Sequence, residues 1–95
     1  MLNQAKLIMK AKKLQKELAN EIIEVEAGDG AVIVQINGEQ KIRKISIDPE
    51  TVDLDDIEEL ERWLETAVKE AITRSQQIAA EKMKPLLGNM GGLGL

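Results

Sequence analysis

Residues 24–50 read EVEAGDGAVIVQINGEQKIRKISIDPE, and the alternation inside them decides the fold. Val32, Val34 and Ile36 alternate with Ile33 and Gln35, Asn37-Gly38 interrupts, and Ile42, Ile45 and Ile47 resume. An Asn-Gly pair between two β-branched alternating runs signals a hairpin, because both residues tolerate the positive φ of a type I′ turn. Upstream, Gly28-Asp29-Gly30 is a second breaker, and Ile22 to Glu26 alternates before it. The expectation is a three-stranded antiparallel meander.

The two turns predict registers that can be compared. With Gly28-Asp29 as the first turn, Val25 faces Val32 and Ile23 faces Val34. With Asn37-Gly38 as the second, even-numbered residues of the middle strand face odd-numbered residues of the third. One face then gathers Ile23, Val25, Val32, Val34, Ile36, Ile45 and Ile47. The other carries Glu24, Glu26, Ala31, Gln35, Gln40, Lys44 and Ser46, with Ile33 and Ile42 as its large apolar members. A slip of one residue would turn a whole strand over, so the agreement of the two turns supports the meander. One face needs a cover and the other is solvated.

Ninety-five residues make one small domain. One Trp, no Phe and no Tyr leave the core short of its largest side chains, and oligomerisation is a common remedy at this size. There is no Cys, so disulfides, thiolate metal sites and thiol nucleophiles are excluded. There is no His, the commonest general base and metal ligand. An enzyme is therefore not expected, nor a cofactor or small-molecule substrate. No stretch reads as a signal peptide or a membrane span, and the expectation is a cytoplasmic protein with no membrane partner. The formal net charge of −4 argues against indiscriminate nucleic-acid binding, but the charges are segregated.

Met1 to about Asn20 is helical, with Leu7, Ala11, Leu14 and Leu18 in an apolar stripe. Its charges are Lys6, Lys10, Lys12, Lys13 and Lys16 against Glu17 alone. Helices that need only solubility tend to mix signs for i,i+4 pairs. This one does not, which leaves two readings open, a solvated face and a surface for a polyanionic partner.

After the strands, Pro49 stops the third one. Asp53 then reads as the N-cap of a long helix, with Asp56 three residues on and Asp55, Glu58 and Glu59 complementing the dipole. Leu54, Ile57, Leu60, Leu64, Ala67, Ala71, Ser75 and Ile78 sweep one face, and the helix is expected to end at Lys82–Lys84, before Pro85. The acids of its first turns do not converge on a metal. Trp63 reads as a packing anchor. Residues 1–87 form the domain, and the Gly-rich 88–95 reads as a flexible tail.

The order of these features resembles the YbaB/EbfC family of bacterial nucleoid-associated DNA-binding proteins. The residues that carry the resemblance begin with the Lys-rich opening helix, with Met9 and Leu14-Gln15-Lys16-Glu17. Gly30-Ala31-Val32-Ile33-Val34, Ile36-Asn37-Gly38 and Ile45-Ser46-Ile47-Asp48-Pro49 follow, then Glu81-Lys82-Met83 and the Gly-rich tail. The resemblance implies an α+β, α-β-β-β-α fold in a tweezer-like homodimer, its sheets meeting at the centre and its helices projecting. It implies binding of double-stranded DNA in the nucleoid, with Lys6, Lys10, Lys12, Lys13 and Lys16 as contacts on the first helix. On the last helix the candidates are Lys69, Arg74, Lys82 and Lys84. The alternative is a dimeric scaffold whose basic helix meets an acidic protein, a reading that exposed Met83, Leu86 and Leu87 would favour.

Overall fold

In the computed structural model the described residues are 2–91, with side chains from 4 to 86. Their order is α1 (Leu2–Asn20), β1 (Ile22–Ala27), β2 (Val32–Asn37), β3 (Ile42–Ile47) and α2 (Ile57–Gly91). The strands form one antiparallel sheet in the order β1-β2-β3, as the alternation requires. The α+β meander with long flanking helices is thus the fold.

The first turn differs from expectation by one position. Asp29 (φ 54°) and Gly30 (φ 90°) occupy its centre, and the Ala31 amide donates to the Gly28 carbonyl at 3.1 Å. Positive φ at both central residues is the type I′ signature, and Asp-Gly satisfies it better than Gly-Asp. Moving the turn by one shifts the register by two, so Val25 faces Val34 and Ile23 faces Ile36. An even shift leaves every side chain on its expected face. On the solvated face, Glu24 and Gln35 sit opposite each other and bond at 3.0 Å.

The second turn overturns the expected type. Neither Asn37 nor Gly38 has positive φ; Gln40 does, at 62°. The Gln40 amide donates to the Asn37 carbonyl at 3.2 Å, and the Asn37 amide to the Lys41 carbonyl at 2.9 Å. This is a three-residue loop whose last member takes the left-handed position. A register shift between Gln35 and Ile36 follows, so Ile36 faces Ile42 while Val34 faces Ile45 and Val32 faces Ile47. Ile42 therefore lies opposite the apolar row, not on the solvated face as expected.

Helix α2 crosses this apolar face over β1 and β2. Ala67 and Ala71 are fully buried against Val32, Val34 and Ile36, with Ile23 and Val25 completing the core. Small residues at i,i+4 let the helix approach closely, while the bulk comes from the strands. Leu60, Trp63, Leu64, Val68, Ile72 and Ile78 pack around that centre. Trp63 is the expected anchor, lying flat on Gly28, where an added Cβ would stand 2.5 Å from the indole.

The start of α2 is a correction. Asp53 caps a preceding turn, accepting from the Asp55 amide at 2.9 Å, and Asp56 is the N-cap, accepting from the Glu59 amide at 3.1 Å. Leu54 and Ile57 consequently miss the core and stay exposed, while Val52 is buried. Between β3 and this turn, the Asp48 carboxylate accepts from the Thr51 hydroxyl at 2.7 Å and the Glu50 amide at 3.0 Å. Those two donors hold its carboxyl below the ordinary value.

At its other end α2 does not stop before Pro85. It carries Pro85 inside and continues to Gly91, 35 residues in all, or about 52 Å. The backbone of residues 88–91, expected as tail, is therefore helical, and residues 92–95 lie outside the described residues. The described chain is long and narrow, 63 × 24 × 15 Å.

Candidate nucleic-acid interface

The lysines of α1 lie on a helix that touches the rest of the chain along one edge. Leu18 is buried, Leu7 and Leu14 are half-buried, and Ala11 is exposed. Lys6, Lys10, Lys12, Lys13 and Lys16 are all exposed, and among the described residues none of them is in an ion pair. Helical spacing puts Lys6, Lys10 and Lys13 on one flank of the apolar stripe and Lys12 and Lys16 on the other. The helix thus presents two cationic rows with one acid, Glu17, nearby in sequence.

The candidates on α2 are placed differently. Lys69 is bound to Glu65 at 2.6 Å and Arg74 to Glu70 at 2.8 Å, both i,i+4 along the helix. The hydrogen bond and charge of Lys69 hold the Glu65 carboxyl below its ordinary value. Both pairs are well exposed, so they stabilise little, yet each cation already has an anion beside it. Lys82 reaches Glu21 at 3.7 Å and also lines an open cleft with Lys10, Leu14, Pro85 and Leu86, about 210 Å³ in volume. Lys84 is exposed. The nine candidates therefore divide: Lys82 stands with Lys10 beside α1, whereas Lys69 and Arg74 are held by their own helix.

What aims α1 is a polar seat that the sequence reading missed. The last carbonyls of a helix lack intrahelical donors. Here the Leu18 carbonyl accepts from the Gly38 amide at 2.8 Å, and the Ala19 carbonyl from Asn37 Nδ2 at 3.2 Å. Asn37 Oδ1 accepts from the Glu39 and Lys41 amides at 2.9 and 3.0 Å. The loop is fastened in turn to α2, where Ser75 Oγ donates to the Asn37 carbonyl at 2.6 Å. Ser75 Oγ also accepts from the Gln40 amide at 3.1 Å and lies 3.0 Å from Gln40 Nε2. Asn37 is 1% exposed and Ser75 fully buried. The available signal was Ser75 continuing the spacing of Ala67 and Ala71, a hydroxyl in a buried small-residue row.

Gly38 belongs to this seat by close approach and not by φ. A Cβ there would stand 2.8 Å from both the Leu18 carbonyl oxygen and its Cδ2. Of the remaining cations, Lys41, Arg43 and Lys44 are exposed on and beside β3, with Lys41 joining the seat through its backbone alone, and Arg62 is exposed on α2. Among the described residues no group of acids converges as a metal site, and no helix is long and apolar enough to cross a membrane.

Comparison with known proteins agrees with this architecture. A family model described as the YbaB/EbfC DNA-binding family matches residues 1–90. A nucleoid-associated protein of Chloroflexus aurantiacus is 46% identical over 81 residues, 85% of this chain and 81% of its own length. One of Desulforamulus reducens is 42% identical, covering 98% of this chain and 95% of the relative. The crystal structure of an uncharacterised Helicobacter pylori protein superposes with a TM-score of 0.70. It is 23% identical and covers 92% of this chain and 87% of that one, which establishes a shared fold.

Proposed function

The chain belongs to the YbaB/EbfC DNA-binding family, and we propose that it is a non-catalytic, nucleoid-associated protein that binds double-stranded DNA as a homodimer through α1. One observation carries the choice of surface: five exposed lysines without ion-pair partners among the described residues, on one helix of a chain that is acidic overall. Lysines on two rows neutralise phosphates and release condensed counterions, which gives affinity without reading bases. Lys82 and Lys84 extend the same end, while Lys69 and Arg74 contribute less because binding would have to compete with their carboxylates.

The homodimer reading rests on the sheet. Val32, Val34 and Ile36 are fully buried, but Ile42, Ile45 and Ile47, opposite them on β3, are 44–45% exposed. Helix α2 covers β1 and β2 and leaves this third of the face open, beside a free strand edge. A second copy would cover both. Sedimentation at micromolar concentration should then give twice the chain mass of 10.5 kDa. A compact monomer there would remove the dimer from the proposal.

The deciding measurement is duplex binding by gel shift across salt concentrations. Binding should fall steeply with salt, and each phosphate that a variant no longer neutralises should reduce the log–log slope by about 0.9. Reversing Lys6, Lys10 and Lys13 to Glu should weaken binding to all sequences alike. Reversing Lys41 and Lys44 should do less, and the opposite order would move the surface to the sheet. The scaffold reading keeps one observation: Met83 is 38% exposed and Leu86 half-buried beside α1. The Leu87 side chain lies outside the described residues. If the wild type shifts no duplex at about 50 mM salt, where phosphate contacts are strong, an acidic protein becomes the better partner.

A further inference from the structure

We propose that Asn37 and Ser75 form a polar joint that sets the pitch of α1 against α2, and thereby the placement of the lysine rows. The functional half of this rests on the DNA reading above.

Three observations point to the joint. The apolar contact between the two helices is too open to fix an angle by itself. Open clefts of about 210 and 200 Å³ flank Leu14 and Leu86, and Ala11 and Met83, which line the second, are both exposed. Dispersion fixes geometry only where atoms interdigitate. At the base of α1, by contrast, the bonds are directional, that of Ser75 to Asn37 buried and that of Asn37 to Ala19 partly so. Leu18 and Ala19 are held by Gly38 and Asn37, and Asn37 is held by Ser75. Finally, the joint is fully satisfied: among the described residues no buried side-chain nitrogen or oxygen lacks a partner. A complete buried network specifies one arrangement, and cutting one bond leaves polar groups that must find another.

Two substitutions cut different bonds. Asn37→Asp keeps the acceptor used by Glu39 and Lys41 and removes the donor that holds Ala19. It also sets a negative charge against that carbonyl. Ser75→Ala, a change to the best helix former, releases the loop from α2 and leaves the α1 cap in place. Because the chain has no Cys, Met9→Cys on α1 and Thr66→Cys on α2 give two unique spin-label sites, both exposed. Doubly labelled chain would be diluted into unlabelled chain so that distances within one chain are read.

The expected result is a shifted or broadened α1–α2 distance distribution in both variants, with the helix content of the parent. Duplex binding should weaken by about threefold to tenfold, as one net hydrogen bond of orientation implies, with a shallower salt slope. A merely structural role would lower the folded fraction without altering the slope of the molecules that bind. Distributions identical to the parent in both variants would overturn the joint. Altered distances with unchanged affinity and slope would overturn its role in placing the lysines. A wild type that binds no duplex would defeat the DNA reading alone, and the distances would still decide the geometry.

Discussion

Helix α2 and helix α1 are both amphipathic, and α2 lies across the sheet while α1 meets it only at the end of β2, so they are held by opposite means. Around Ala67 and Ala71 the helix presses onto Val32, Val34 and Ile36, all fully buried and without a polar group between them. Among the described side chains of α1 only Leu18 is buried, and hydrogen bonds to a loop secure the end of the helix. Apolar burial supplies the stability, being non-directional and proportional to area. The polar seat supplies aim. Separating the two lets the charged helix be varied with little cost to the fold.

The largest effect should come from the apolar side. Ile36→Ala removes a fully buried side chain opposite both β1 and β3 and should cost about 2–5 kcal/mol in denaturant unfolding. A cost under about 1 kcal/mol, well below that range, would mean that the centre of the sheet is not where stability resides. Next is Gly38→Val, expected to cost about 1–3 kcal/mol by overpacking against Leu18. The loosening should show first as faster amide exchange in α1, while the β1–β2 ladder keeps its protection. Equal loosening of both would abolish the distinction drawn between them. Reversal of Lys6, Lys10 and Lys13 should be the smallest, within about 0.5 kcal/mol by thermal unfolding, because all three are exposed and have no ion-pair partner among the described residues. A large destabilisation would show that these lysines serve the fold and not only a partner.

Most of the scaffold was legible because it rests on parity and periodicity. Strand faces survive an even register error, so placing the first turn on Gly28-Asp29 instead of Asp29-Gly30 moved partners without inverting a strand. The second hairpin departs from expectation because Asn-Gly is a local signal and the turn answers to a distant constraint. Gly38 is pressed against Leu18, which takes the turn out of type I′ and transfers the positive φ to Gln40. Ile42 changed its partner as a result. At α2, several acids were equally able to cap, and only tertiary packing distinguishes Asp56 from Asp53. Pro85 is a stop signal in sequence, but α2 continues through it to Gly91.

The candidate surface was half legible. A run of one-signed charge on α1 is visible in sequence, and so is its contrast with a net charge of −4. The division within α2 was less so. Lys69 and Arg74 follow acids at i−4, a spacing present in the sequence, but which carboxylate each cation adopts is a property of the folded rotamers. The seat left one trace, Ser75 continuing the spacing of Ala67 and Ala71, and no pattern ties that hydroxyl to residues 18 and 37.

The antiparallel course of α1 along the outer half of α2 has an electrical consequence. Six carboxylates lie between Asp53 and Glu61, at the sheet end of α2, whereas the lysines of α1 stand beside its outer end near Lys82 and Lys84. From Glu59 to Lys82 along the helix is about 35 Å, several times the screening length in physiological salt. Each chain is therefore a permanent dipole with its negative pole at the sheet. In the field of a polyanion such a body experiences a torque even though its net charge is repelled, and it turns its positive pole inward as it approaches. For an acidic protein of this shape, orientation would precede attraction.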